Sequence, residues 1–295
     1  MSKDIDKKYP DLAMYPAEPI YDFMPRVYLL SATPDPLGSL AAMSMMYEGK
    51  VCHNLVDISD DQRRYYWEES FKGHLKAPWE SIDLHFMIEG VSRAFTHQMV
   101  RQRTAVFAQE SLRFAVKETI DARPGSQVVF NEQAHEVWGK TVELIWGAYQ
   151  RLIELGIPAE EARGLLPHDT LTRLHYKTNL RNLAEHLGNR LCTQAQFEWR
   201  IVAAELRKAI HSHSEMYRPE PESGFTEAES GWQYQLIAES SIFQPVCFTM
   251  GKCPWKAGWD RGCTIRERVD EGKFDEIKME EWLADPRAAW VTDER

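Results

Sequence analysis

The chain has 295 residues, of which 43% are hydrophobic and 27% charged, and it carries a formal net charge of −10. That length supports one large domain or two small ones around a sizeable core, and the acidic balance excludes a general electrostatic grip on nucleic acid. No apolar run approaches the roughly 18 residues of a membrane span, and the polar start MSKDIDKKYPDLAMYPAEP lacks the apolar stretch of a secretion signal, so the expected compartment is the cytoplasm, with no membrane partner.

In chain order, Arg26-Val27-Tyr28-Leu29-Leu30 reads as a short strand, Pro34 to Gly38 as a turn, and LAAMSMMYEG as a short helix. Asp60 to Ser70 is charged and aromatic, the composition of a surface helix. From Ser81 to Glu89, Ile82, Leu84, Phe86 and Ile88 alternate with Asp83, His85, Met87 and Glu89, which predicts a strand with one apolar face, ended by Gly90. Val91 to Arg103 reads as helix, residues 104 to 116 as mixed structure, and Arg123-Pro124-Gly125-Ser126 as a loop.

Two long helical stretches follow. From Asn131 to Leu155, Val137, Thr141, Leu144, Ile145, Ala148, Leu152 and Leu155 recur at close to helical spacing, and Gly156 and Pro158 stop the run. A second stretch from about Lys177 to Met216 carries Leu180, Leu183, Leu187, Leu191, Ala195, Ile201 and Leu206, with a bend expected near Gly188 or Thr193. After Pro219 the run PEPESG resembles a linker, giving a main domain over 1–218 and a C-terminal extension over 219–295 packed on it.

Arg101, Arg103 and Arg113 lie close in sequence, with Gln98, Gln109, Glu110 and Ser111 around and between them. Arginine presents a planar fork suited to phosphate, and Ser and Gln add neutral donors and acceptors for a base or ribose. Arginines also sit commonly on solvated helix faces, paired with acidic neighbours. A second group, Arg163 with Asn179, Arg181, Arg190, Gln194, Gln196 and Glu198, places Asn179 and Arg190 at a spacing that shares a helix face. The leucines of that stretch supply an inside of their own, so periodicity leaves both readings open.

The two groups together resemble the flavin-dependent thymidylate synthases. That family carries Arg-His-Arg followed by Ser-x-Arg, then Arg-x-x-Leu-Pro, Asn-x-Arg-x-Leu, Leu-x-x-Arg and Ala-Gln-x-Glu. This chain has Arg101-Gln102-Arg103, Ser111 and Arg113, then Arg163, Leu166-Pro167, Asn179, Arg181, Leu183, Leu187, Arg190, Ala195-Gln196 and Glu198. Gly73-His74 and Pro78-Trp79-Glu80 resemble the family's flavin-side loop. The resemblance implies an α+β fold with a mixed sheet and long helices, a homotetramer with shared active sites, and FAD reduced by NADPH. It implies reductive methylation of dUMP to dTMP, with methylenetetrahydrofolate as one-carbon donor and no cysteine nucleophile.

By position, the resemblance puts Gln98, Arg101, Gln109, Glu110, Ser111, Arg113, Arg163 and Arg190 at the nucleotide. Arg190 stabilises the ionised pyrimidine and Ser111 positions the substrate. Arg101, Gln102, Arg103, Gln109, Asn179, Arg181 and Glu185 lie at the flavin. The chain departs from the family at Gln102, where a His is usual, and at Ala108, Gln109, Glu185 and Ser81. These departures cluster on the cofactor side. They leave two alternatives: hydroxymethylation of a pyrimidine deoxynucleotide (dUMP or dCMP), and a non-catalytic nucleotide- or flavin-binding paralogue.

The five cysteines, Cys52, Cys192, Cys247, Cys253 and Cys263, are an odd set without a CxxC pair and read as free thiols. Cys247, Cys253 and Cys263 could hold zinc with a fourth ligand, yet buried structural thiols are the expectation, and no metal site is assigned. The tail resembles the extensions of phage-type members, for which the compartment would be the host cytoplasm.

Overall fold

The computed structural model describes residues 24–119, 121–129, 131–216, 231–255 and 263–283. The start of the chain and the linker-like run after Pro219 lie outside these residues. Four strands form one sheet in the order β1-β2-β4-β3, with β1 Arg26–Ala32, β2 Asp83–Ser92, β3 Val106–Gln109 and β4 Leu171–Asn179. The α+β class holds. The sheet itself, expected to be mixed, is antiparallel at every strand pairing among the described residues.

Strand β2 follows its alternation: Leu84, Phe86 and Ile88 are fully buried. Gly90 does not end it. The strand runs on to Ser92 across a register shift between Ile88 and Val91, where Gly90 adopts φ 68° and a Cβ would stand 2.7 Å from the carbonyl oxygen of Met24. Strand β4 was not expected from the sequence, and its last residues, from Lys177 to Asn179, fall where a helix was expected to begin. Thr172, Leu174, Tyr176 and Thr178 are buried while Arg173, His175 and Lys177 are exposed, so its period of two is carried partly by threonines, which the apolar count misses. The Tyr176 ring stacks between Phe86 of β2 at 6.1 Å and Phe107 of β3 at 5.4 Å, tying three strands together.

Helix α1 spans Pro36–Tyr47, absorbing the expected turn: the Asp35 side chain caps it by accepting from the Gly38 N–H. Helix α2, Asp60–Lys72, starts on a capping box of Ser59 and Gln62. Helix α3 is shorter than its sequence suggests, Arg93–Met99, with Ser92 as N-cap. Helix α4 spans Glu132–Glu154. The last periodic stretch divides into α5, Leu180–Arg190, and α6, Phe197–Met216, so the bend falls around Thr193 and α5 runs through Gly188.

Helix α7, Gly231–Glu239, and the residues after it share the principal core: Tyr234, Ile237, Phe243, Val269 and Trp282 pack in the same buried cluster as Leu84, Phe86 and Leu187. The buried Gln233 carbonyl accepts the Leu37 N–H at 2.8 Å, satisfying a donor in the first turn of α1.

The joint between β2, α3 and α6 is polar. Glu198 and Arg123 are each 6% exposed and pair at 2.5 Å. Glu198 also accepts the backbone N–H and the hydroxyl of Ser92, at 2.7 and 2.6 Å, and Arg123 donates to the Gly90 carbonyl at 2.8 Å. Removing one partner of such a pair strands a buried charge. Glu198→Ala is therefore expected to destabilise the fold by about 3–5 kcal/mol in chemical denaturation, whereas breaking an exposed pair such as Lys72–Glu69 should leave the midpoint nearly unchanged.

Candidate functional site

Strand β4 delivers the chain to α5. Asn179 ends the strand and accepts the Asn182 N–H at 2.9 Å as N-cap, while Arg190 closes the last turn of the helix. The pair thus occupies the two ends of one short helix. The Arg190 guanidinium lies 5.1 Å over the Trp199 ring and donates to the Gln98 carbonyl at 3.3 Å. Trp199 donates to the same oxygen at 3.2 Å, and the Gln98 amide donates to Gln196 at 2.5 Å. Gln196 in turn donates to Glu198 at 3.1 Å, which links this cluster to the buried joint.

Burial, and then the nearby Arg101, lower the pKa of Arg190. Arg190, Arg101 and Arg103 make no ion pair among the described residues, although acidic side chains outnumber basic ones by 45 to 35 in this chain. A partly desolvated guanidinium with spare donors and a second cation beside it is arranged for an anion or a polarisable heterocycle.

Gln102 sits between β4 and α5. Its amide donates to the Asn182 carbonyl at 2.9 Å, and since a carbonyl can only accept, this sets the orientation of the amide. The Gln102 oxygen is then an acceptor, taking the Tyr176 hydroxyl at 2.8 Å and facing His186 Nδ1 at 2.5 Å. His186 must carry its proton on Nδ1, which leaves Nε2 as the acceptor nitrogen of the ring. Burial, and next the charge of Arg190, bring the His186 pKa from 6.5 down to about 4, so the ring is neutral at physiological pH. Burial lifts Tyr176 to about 12. The imidazole absent from position 102 is present one hydrogen bond away.

Arg181 and Glu185 form a separate exposed network: Arg181 Nε contacts Glu185 at 3.0 Å and its NH1 contacts Glu80 at 2.6 Å. The hydrogen bonds of Arg181 to Glu185 and Glu80 raise its pKa.

A second group gathers at Glu160. Arg113 pairs with its carboxylate at 3.0 Å, and Arg163 Nε donates to its backbone carbonyl at 3.1 Å. The Ser111 hydroxyl accepts the Arg113 N–H at 3.3 Å, and Gln109 at the end of β3 donates to the Thr96 hydroxyl at 2.9 Å. Helix α3 therefore touches both groups, through Thr96 on one side and Gln98 on the other. Glu110 is not brought to its sequence neighbours. Next in line after Gln109, it points to the opposite face, where Lys117 at 3.2 Å, Thr172 at 3.4 Å and Arg173 at 3.5 Å hold its carboxylate.

Gln196, Trp199 and His186 are the contributors that sequence reasoning left without a role. Gln196 and Glu198 enter the sequence reading only as part of a motif.

The family model described as thymidylate synthase complementing protein matches residues 28–214. Among curated proteins, the flavin-dependent thymidylate synthase of Pyrococcus horikoshii is 31% identical over 83% of this chain and 96% of its own length. That of Geobacter sulfurreducens is 29% identical over 74% of this chain and 100% of its own. Of solved structures, the flavin-dependent thymidylate synthase of Helicobacter pylori complexed with FAD and dUMP is similar at a TM-score of 0.49 and 22% identity, covering 62% of this chain and 93% of that one.

Because the folded His186 pKa lies below its unfolded value, the unfolded chain takes up the proton first on acidification. The contribution of this ring to stability is full above pH 6.5 and is lost as pH falls toward about 4. His186→Phe should remove a pH-dependent loss of about 3 kcal/mol from that window, read as a flatter plot of denaturation midpoint against pH.

Proposed function

The chain belongs to the thymidylate synthase complementing protein family, whose curated relatives are flavin-dependent thymidylate synthases, and on that premise we propose that it methylates dUMP reductively to dTMP with methylenetetrahydrofolate, FAD and NADPH. The observation that carries the reading is the half-buried guanidinium of Arg190, stacked on Trp199 and aimed by Gln98, with no carboxylate among the described residues to neutralise it. Placed against the pyrimidine, it stabilises negative charge on the ring nitrogen and carbonyl oxygens and so enriches the ring carbon that takes the one-carbon unit. It needs no reorganisation, because Gln98 and Trp199 already hold it.

Arg113, Arg163, Ser111 and Gln109 bind the phosphate and sugar, the phosphate competing with Glu160 for Arg113. Gln98 and Arg101 complete the nucleotide side. FAD, reduced by NADPH, supplies the hydride that completes the methyl group. The donor set fits it: Arg101 and Arg103 are exposed guanidiniums without carboxylate partners, suited to a pyrophosphate, and Asn179 and Arg181 flank the same end of α5. Gln102 orients His186 there, and burial with the charge of Arg190 keeps the ring neutral, so it adds no charge to this side of the site. Glu185, already paired with Arg181, tempers that guanidinium rather than meeting the flavin alone.

The enzyme assembles as a homotetramer with shared sites. Supporting this, the periodic stripe of α4 is not buried in its own chain: Val137 is 52% and Leu144 43% exposed, and Val142 and Tyr149 supply the buried contacts instead. An uncovered apolar stripe on a long helix is the surface a second copy covers. Residues 1–218 form the catalytic domain and 219–295 an extension packed on it. No described helix is long and apolar enough to cross a membrane, and the enzyme works in the cytoplasm or a host cytoplasm, with no nucleic-acid partner.

With dUMP, methylenetetrahydrofolate and NADPH, mass spectrometry should find a methyl added to the nucleotide, and Arg190→Ala should lower kcat about 10²–10³-fold. A hydroxymethyl product, or turnover of dCMP with dUMP ignored, overturns the assignment. Val137→Asp combined with Leu144→Asp should convert the tetramer to a smaller species by light scattering while the helical circular dichroism stays unchanged.

A further inference from the structure

Away from the nucleotide site, four of the five cysteines come together. Cys192 lies at the break between α5 and α6, Cys247 in the short helix Val246–Met250, and Cys253 and Cys263 further along the C-terminal extension. All four line one cavity of about 20 Å³, walled by Pro245, Val246, Trp255 and Ile265. None is in a disulfide. Cys52 is elsewhere, its thiol against the Asn54 carbonyl at 3.1 Å.

We propose that Cys192, Cys247, Cys253 and Cys263 are the four ligands of a structural zinc site that clamps the C-terminal extension to the segment following Arg190. Thiols from distant parts of a chain gain little by converging as neutral groups. As thiolates around one divalent cation they form a closed tetrahedral site, the usual form of a structural zinc centre. The space suits one ion, because a volume near that of a single water leaves no room for an iron–sulfur cluster.

Binding a zinc ion releases the four thiol protons to solvent as four zinc–sulfur bonds form. A supporting hydrogen bond is in place: Thr193 donates to the Cys263 sulfur at 3.3 Å. Arg266, which borders the cavity, offsets the negative charge of a tetrathiolate. As the side chains stand, no three donors among the described residues converge at metal-binding geometry, so metal entry turns the thiols toward the cavity centre.

The test is metal analysis of the purified full-length protein, expressed with zinc supplied. The expected result is one zinc per chain, released in step as a mercurial reagent titrates four thiols. Cys52→Ser keeps the zinc, and Cys253→Ser combined with Cys263→Ser loses it. Should that double variant fail to fold, cobalt substitution of the unaltered protein decides, with thiolate-to-cobalt charge-transfer bands expected. Absence of stoichiometric metal, iron with labile sulfide, two disulfides, or zinc retained in a folded double variant each overturns the proposal.

Discussion

The carboxylate of Glu198 is the point on which the site is hung. It sits in the first turn of α6 and accepts from Ser92, Arg123 and Gln196 at once. Through Ser92, which also caps α3 by accepting the Phe95 N–H, it sets where α3 begins and therefore where Gln98 points. Through Gln196 it orients the amide that Gln98 contacts, and Gln98 in turn receives Arg190 and Trp199. A buried ion pair of this kind contributes little net stability over an apolar substitute. Its use here is placement: three segments distant in sequence are held at one polar point, and the Arg190 guanidinium inherits that position.

Around Arg190 the chain controls charge by two opposite means. Among the described residues it leaves Arg190 and Arg101 without a carboxylate partner, while Arg113 pairs with Glu160. Beside α5 it keeps groups neutral: Gln102 cannot ionise, His186 is held near pKa 4, and Tyr176 near 12. The hydrogen bonds of Gln102 hold all three in one arrangement, with the amide orientation dictated by the Asn182 carbonyl. A glutamine in place of the family's usual histidine therefore reads as a relocation of the imidazole onto α5 rather than its loss.

Where burial follows one face of one element, the sequence was legible. The alternation of Leu84, Phe86 and Ile88 pointed to β2, and the charged and aromatic composition of Asp60 to Ser70 pointed to α2. Strand β4 was hidden because Thr172 and Thr178 occupy inward positions without looking apolar. The α4 stripe was read correctly as periodic, but periodicity does not say which chain covers it. Within the site, Arg190, Gln98, Ser111 and Arg113 were found through motifs. Glu110 was placed with them by its position in the resemblance, while the structure sets its carboxylate on Lys117, Thr172 and Arg173. The partnership of Arg123 with Glu198, and of Cys192 with the cysteines of the tail, spans most of the fold and has no local signal at all.

The account rests on Arg190 being the group that meets the pyrimidine, with Arg113 and Arg163 at the phosphate. A crystal structure of the full-length enzyme with FAD and dUMP tests it most directly. The predicted result is the Arg190 guanidinium within hydrogen-bonding distance of the pyrimidine carbonyl or ring nitrogen, still lying on Trp199, with the phosphate on Arg113 and Ser111 and displacing Glu160. A nucleotide bound with its ring away from Arg190, or with its phosphate on other side chains while Arg113 stays paired to Glu160, would contradict it.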